Sequence, residues 1–289
     1  MRVVVLGTAA GGGFPQWNCA CPLCSECRAG AADVPARTQD CLAVRAGEGW
    51  YLVNASPDIR AQVLAAPVLA PGPGPRDTPL RGALLTDAEL DHTMGLLMLR
   101  EGGGLRVLAP PAVLSALAPV RDTVSGYGAW SWSSTVDLPG LAVTTFAVSD
   151  KKPRYAAGVT APGPWVVAYR ITDPATGGAL VYAPCLRSWP DGFDEFVDGA
   201  AYVLLDGTFY SAAEMTGTGT STSAQRSMGH VPIDGPDGSL VRIARHPGTR
   251  WCYTHLNNTN PVLDRRSPEY AVVRDAGVAV PLDGTVLTL

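Results

Sequence analysis

Two sets of side chains in this 289-residue chain have the types and spacing to hold a metal ion. The first set is dispersed. GALLT runs into Asp87-Ala-Glu-Leu-Asp91-His92, AYVLL runs into Asp206, and WCYT runs into His255. Each apolar run reads as a β-strand that ends in a ligand-type residue. Strand ends meeting at one edge of a layered fold can bring distant residues together, with loops shaping the pocket above them. Asp91 and His92 are neighbours, and neighbours on a strand point to opposite faces. They can share one ion only if the chain turns out of the strand there. Two imidazoles and two carboxylates with open positions suit Fe(II), Mn or Zn, and a facial set favours non-haem iron chemistry with O2. Singly, an Asp after a strand is more often a cap or turn residue, and a His is as often a satisfied core or surface group. The four together, all at strand ends, point to a site.

The second set is local. Cys19, Cys21, Cys24 and Cys27 place four thiols within nine residues, while Cys41, Cys185 and Cys252 are scattered. Thiolates at this density are the natural ligands of a closed tetrahedral zinc site. Such a site would brace the loop at 19–27, which carries no periodicity of its own. Cys19, Cys21 and Cys24 supply three ligands, and Cys27 is the local candidate for the fourth. The competing readings are reduced buried thiols and a redox C-x-x-C, which lacks a thioredoxin-like setting here. A disulfide scaffold would be shorter and more evenly stapled.

Three further features border these sets. His230, in the polar stretch SMGHVP, is a candidate for orienting substrate or moving a proton; a loop histidine bonded to backbone is the competing reading. His246, in ARHPGTR, is better explained by a helix C-terminus and solvent. Asn257 and Asn258, directly after His255, either brace the ligating side chains or form an Asx turn. The glycine run from Gly7 to Gly13 lacks the Lys-Ser/Thr ending of a phosphate loop and the G-x-G-x-x-G spacing. It reads as a tight turn that lets backbone approach the pocket.

The elements that must position these residues form a mixed α/β (α+β) pattern. Strands are predicted at RVVVLG (2–7), GALLT (82–86), LRVLAP, LAVTTFAV, AYVLLD (201–206) and WCYTH (251–255). Hairpins are predicted from CLAVR to WYLVNA and from PWVVAYRITD to ALVYAP. A helix is expected from Ser56-Pro57, with others over GLLMLREG, PAVLSALAPV, GSLVRIARH and SPEYAVVRDAG. SAAEMTGTGTSTSAQRSMGH reads as a long loop, and a strand pair closes the chain. Strands with interleaved helices, no rich linker and no repeat predict a single domain over 1–289, an αββα sandwich of two facing sheets. A net charge of −4 and a pI near 5.5 argue against a nucleic-acid surface or a polybasic membrane patch. The apolar runs are too short for a span of ~20 residues, and the N-terminus lacks a signal-peptide pattern. The expectation is a cytoplasmic protein.

TDAELDH resembles the H-x-H-x-D-H signature of the metallo-β-lactamase superfamily, with Asp87 and Glu89 in place of its first two histidines. Losing those histidines leaves ligands for one ion rather than two. At closer range GTAAGGGFPQWNCACPLC, RTQDCLAV, NASPDIRAQ, RDTPLRGALLTDAELDHTMGLLMLREG, VYAPC, DGTF, MGHVPIDGPDGSL and THLNNTNPVLD, in order, resemble the pyrroloquinoline quinone (PQQ) biosynthesis protein B family. The likeness is weakest over 120–160, including DKKPRY. It implies a metallo-β-lactamase-type fold, a cytoplasmic iron(II) enzyme, and dioxygen-dependent hydroxylation of the tyrosine of a Glu–Tyr-derived precursor. It implies Asp91, His92, Asp206 and His255 as iron ligands, alongside a structural zinc. His230 resembles a loop histidine that related enzymes aim at the active site, and Cys185 stands where the resemblance leads one to expect glycine. A small peptide or amino-acid-derived precursor with several carboxylates would want an arginine, so Trp17, Arg60 and the loop bearing His230 are candidate pocket walls. A homodimer is compatible with this reading. The alternatives are a carrier for the finished quinone and a superfamily hydrolase using two metals.

Overall fold

Alternation along the first strand sorts its side chains between two interiors. Val3 and Val5 point one way and Val4 and Leu6 the other, yet all four are buried, so this strand is covered on both faces. The computed structural model describes residues 1–220 and 228–289, and the same two-sided burial recurs through most of its strands. These are β1 (Arg2–Gly7), β2 (Cys41–Ala46), β3 (Gly49–Val53), β4 (Leu80–Leu84), β5 (Arg106–Leu108), β6 (Ser131–Ser133), β7 (Ala142–Ser149), β8 (Val166–Thr172), β9 (Ala179–Ala183), β10 (Tyr202–Asp206), β11 (Arg250–Thr254) and β12 (Val286–Thr288).

The strands form two sheets, one in the order β12-β1-β2-β3-β4-β5-β6 and one in the order β11-β10-β9-β8-β7. Both are mixed: β3–β4–β5–β6 and β9–β10–β11 run parallel, and the other neighbours run antiparallel. Val3, Val5, Leu42, Val53 and Leu84 of the first sheet meet Tyr169, Leu180, Tyr182 and Leu204 of the second in a shared core. The opposite face of the first sheet packs on helices Ile59–Ala65 and Pro111–Ala116. That of the second packs on helices Phe193–Val197, Ser239–Ile243 and Pro268–Asp275. The layering is helix, sheet, sheet, helix, as expected.

Both predicted hairpins form, and Ser267 caps the last helix by accepting from Tyr270 N at 3.0 Å. Several boundaries differ. The helix expected at Ser56-Pro57 begins at Ile59, because the Ser56 hydroxyl is used in a turn, accepting from Asp58 N and donating to Gln62. GLLMLREG holds one turn of helix, Gly95–Met98, and PAVLSALAPV opens two consecutive helices, Pro111–Ala116 and Ala118–Ser125. The chain closes on one strand, β12, paired with β1, and not on a strand pair. The long loop expected over 211–230 contains the short helix Glu214–Gly217, and its stretch 221–227 lies outside the described residues. Among the described residues no helix is long and apolar enough to cross a membrane.

Candidate metal centre

The carboxyl ends of parallel strands are where open α/β sheets place their ligands, and four such ends meet here. β4 leads to Asp87, β9 to Cys185, β10 ends on Asp206 and β11 leads to His255. The chain does leave the strand before His92, which lies on the one-turn helix Leu90–Thr93. That helix is clamped by the turn after β3: Ala55 N donates to His92 O at 2.7 Å and Gly95 N to Ala55 O at 2.9 Å. A Cβ at residue 95 would stand 2.3 Å from Ser56 O, so only glycine allows this approach. Asn54, at φ 64°, aligns the other end of the turn by accepting from Thr86 N and Thr86 Oγ1. His255 is also left-handed, at φ 56°, a conformation costing roughly 1–3 kcal/mol outside glycine. It is held there by Leu256 N donating to Thr8 O and Ala10 N donating to Leu256 O, each at 2.8 Å. The glycine turn does approach the pocket: a Cβ on Gly11 would lie 3.2 Å from Asp91 Oδ2.

Each ligand-type imidazole has one nitrogen anchored and the other presented. His92 Nδ1 bonds Asp87 at 2.8 and 2.9 Å, while His92 Nε2 is buried with no hydrogen-bond partner. His255 Nδ1 bonds Thr208 Oγ1 at 2.8 Å, and His255 Nε2 lies 3.2 Å from Asp91 Oδ2. The two rings sit edge to face with centroids 5.1 Å apart, and Asp91 Oδ2 is 3.9 Å from His92 Nε2. Asp87, which the sequence pattern places at a lost ligand position, instead orients His92. A buried ring nitrogen without a partner is costly, by about 1–3 kcal/mol, and a cation between these side chains would satisfy it.

The electrostatics agree. Burial disfavours a charged His92, but Asp87 and Asp91 outweigh it and push its pKa up to about 10. Burial likewise opposes charge on His255, and its bond to Asp91 reverses the balance upwards. Asp91 itself is held well below the usual carboxylate range: the two imidazoles overcome its desolvation. A field that binds protons this firmly also attracts a metal ion, and the donor set of imidazole and carboxylate fits one.

Asp206 is placed differently. Its Oδ2 accepts from Leu186 N at 2.6 Å and bonds His230 Nδ1 at 2.8 Å, and its Oδ1 accepts from Thr208 N and Thr208 Oγ1. Ligand atoms of Asp206, His230 and His255 lie within 4.8 Å of one another, as do those of His92, Cys185 and His255. His255 thus belongs to both groups. His230 stacks on His255 with centroids 5.2 Å apart. Its ring is bonded to side chains rather than to backbone. Cys185 was not among the expected ligands. His246 lies just past the helix Ser239–Ile243, as expected, and its ring pairs with Asp194 at 2.8 Å rather than with solvent alone.

Above these residues opens a cleft of about 600 Å3, lined by Ala10, Gly11, Asp91, His92, Cys185, His230 and His255. Trp17 and Arg60, expected as walls, are not part of it: Trp17 is 84% exposed and Arg60 faces solvent. The basic rim comes from Lys151, Lys152 and Arg154 instead, with Tyr155 beside them. Tyr155 OH donates to Ala88 O at 2.6 Å and Lys151 pairs with Glu89 at 3.5 Å, which pins this segment to the loop that leads into the helix carrying Asp91. The basic-aromatic run DKKPRY was the available signal for this wall.

The cysteine segment is partly helical, from Pro22 to Arg28, where an irregular loop was expected, because Pro22 occupies a favourable first-turn position. The sulphurs of Cys19, Cys21 and Cys24 lie within 4.8 Å of one another. Cys27 is outside that group and packs against the second sheet's outer core. The group facing all three sulphurs is the Asn258 amide, whose Nδ2 lies 3.2 Å from Cys19, 3.7 Å from Cys21 and 3.4 Å from Cys24.

The Beta-lactamase superfamily domain profile matches residues 49–256. Over its full length the chain is 40% identical to coenzyme PQQ synthesis protein B of Azoarcus sp. (strain BH72) and 39% identical to that of Methylobacterium sp. (strain 4-46), covering 100% of both chains in each case. Among solved structures it is similar to Zn(2+)-bound PqqB from Methylobacterium extorquens, with a TM-score of 0.90, 38% identity and 100% of both chains covered. A diphosphatase of the PhnP family shares the fold at a TM-score of 0.68 and 19% identity, over 99% of this chain and 97% of that one. On this agreement over its whole length, the chain belongs to the coenzyme PQQ synthesis protein B family, within the β-lactamase superfamily.

Proposed function

We propose that this protein acts in PQQ biosynthesis as a mononuclear non-haem iron(II) oxygenase that hydroxylates the tyrosine of a Glu–Tyr-derived precursor. The biosynthetic role rests on the names of its full-length relatives. The single observation that carries the metal reading is the buried, partnerless Nε2 of His92, beside His255 and Asp91. One ion is favoured over two because Asp87 is committed to His92 and Glu89 to Lys151.

Asp91, His92 and His255 would hold the iron directly. Asp206 would lend negative charge from the adjoining position, its carboxylate held by Leu186 N, Thr208 and His230. Iron(II), when bound, supplies the activation of dioxygen that no side chain can provide. The protein does the rest. Lys151, Lys152 and Arg154 give the rim the positive charge that a substrate with several carboxylates requires. His230, fixed through Nδ1 by Asp206 and Thr208, keeps Nε2 to exchange a proton with the substrate phenol. The enclosing wall limits water at the reacting ring.

Protein reconstituted anaerobically with Fe(II), mixed with the precursor and then exposed to O2, is expected to yield a product heavier by one oxygen. Absence of any iron-dependent product would remove the oxygenase reading. Tight quinone binding without turnover, indifferent to His92→Ala, would favour a carrier instead. Two ions bound in the cleft would favour a hydrolase.

A further inference from the structure

Cys185 stands just beyond β9, on the wall of the cleft. Its backbone is fixed from the following residue: Leu186 N donates to Asp206 Oδ2 at 2.6 Å, and Val231 N donates to Leu186 O at 2.5 Å. From that position its sulphur and a nitrogen of each of His92 and His255 lie mutually within 4.8 Å. This brings three donors near enough to converge on one ion. A second observation makes the same space a ligand position, since His92 Nε2 is buried there without a partner. A third removes the competing carboxylate. Each oxygen of Asp206 already takes part in two hydrogen bonds, to Leu186 N and His230 on one side and to Thr208 on the other.

We propose that Cys185 is a ligand of the metal ion, so that the donor set is Asp91, His92, His255 and the Cys185 thiolate. The inference rests on the metal-centre reading above and extends it. Coordination replaces the S–H bond by a metal–sulphur bond and releases the proton to solvent, as thiol ligands generally require. A thiolate among imidazoles is a soft donor. It biases the site towards zinc, cobalt and iron and away from magnesium and manganese, which prefer all-oxygen surroundings. The cleft would then discriminate between metals through a residue outside the Asp-His signature.

Cobalt(II) is the probe, because thiolate ligation gives it a charge-transfer band in the near ultraviolet. Metal-free protein, Cys185→Ser and Cys185→Ala are each loaded anaerobically with cobalt(II), and bound cobalt is counted. Cys19, Cys21 and Cys24 contribute the same absorption in all three proteins, so the wild-type-minus-variant difference isolates Cys185. The expected result is cobalt in the cleft of wild type with a thiolate difference band, and cleft affinity weaker in both variants by about ten- to a hundredfold, at least the loss that follows removal of a supporting residue. Alkylation by iodoacetamide, read by peptide mass spectrometry, supplies a second measurement. Zinc should protect Cys185 in wild type and fail to protect it in His92→Ala. Cobalt bound in the cleft with no difference band and no protection overturns the thiolate assignment and leaves the metal centre standing. No cobalt in the cleft of wild type overturns both.

Discussion

The two metal-type regions of this molecule differ in how far the chain must travel to build them. The cysteine cluster draws its three sulphurs from six consecutive residues and only Asn258 from elsewhere. The cleft draws on residues from 10 to 257, many of them just beyond strands of both sheets. The first gathers three sulphurs, with Cys24 buried and Cys19 and Cys21 half-buried; the second opens on a basic rim. A structural ion needs every position filled and a catalytic one needs a position free, and the open cleft suits the second. The regions are also connected. His255 and Asn258 lie three residues apart on the same turn after β11, and Glu214 supports that turn by accepting from Thr259 at 2.6 Å. Bracing the cluster therefore holds one wall of the cleft in place.

The contrast can be broken by substitution. Cys24 is fully buried, and Cys24→Ser should empty the cluster and destabilise the chain by about 4 kcal/mol, the large class of loss that follows removal of a structural metal. Chemical denaturation and metal content read this together; unchanged stability and content would reduce the cluster to buried thiols. The next effect is pH-dependent. Burial raises the Glu214 carboxyl to about 7, against the bonds from Thr259 and Tyr210 that favour its charged form. A carboxyl whose folded pKa lies above its unfolded value stabilises the fold below the unfolded pKa, and that contribution is lost as pH rises through about 7. Between pH 5 and 8 wild type should lose up to about 3 kcal/mol that Glu214→Gln retains. Parallel pH–stability curves for the two proteins would refute it.

In the cleft the expected effects fall on binding rather than on folding. Asp91→Asn takes the negative charge from between two imidazoles. It should weaken cleft metal binding by about a hundredfold and abolish turnover, while the cluster keeps its ion and unfolding shifts by less than about 1 kcal/mol. A large loss of stability would mean that Asp91 serves the fold. The smallest effect belongs to Arg154→Gln. This exposed rim cation should raise KM for a carboxylate-rich precursor by about tenfold with little change in kcat, the pattern of lost ground-state binding. A fall in kcat at constant KM would place Arg154 closer to the chemistry.

Much of this was legible before the fold was known. Asp91, His92, Asp206 and His255 could be singled out because each follows an apolar run, and strand ends are local features. Asp87 was legible as a residue but not as the partner of His92, since that contact needs the chain to double back within one helical turn. Trp17 and Arg60 suggested a wall by type alone, yet nothing local says which face of a loop or helix meets the cleft. Lys151 and Arg154 were overlooked because they follow no strand-end pattern, and Cys185 was legible only as a cysteine in a glycine position, since its approach to His92 and His255 needs the two sheets packed together. The Asn258 contact to the cysteines was invisible for the same reason, being more than 230 residues away in sequence.

Apolar periodicity and side-chain type were enough to settle the layers, most of the strands and the residues equipped to bind a metal, because these depend on neighbours only a few positions apart. The grouping of those residues depended on the packing of two sheets. Packing decided that His92 and His255 each turn a ring nitrogen towards Asp91, that Asp206 is satisfied by its surroundings, and that a cysteine from a third strand end lies near both rings. Hydrogen-bond saturation and distance are properties of the assembled interior, and no stretch of chain carries them alone.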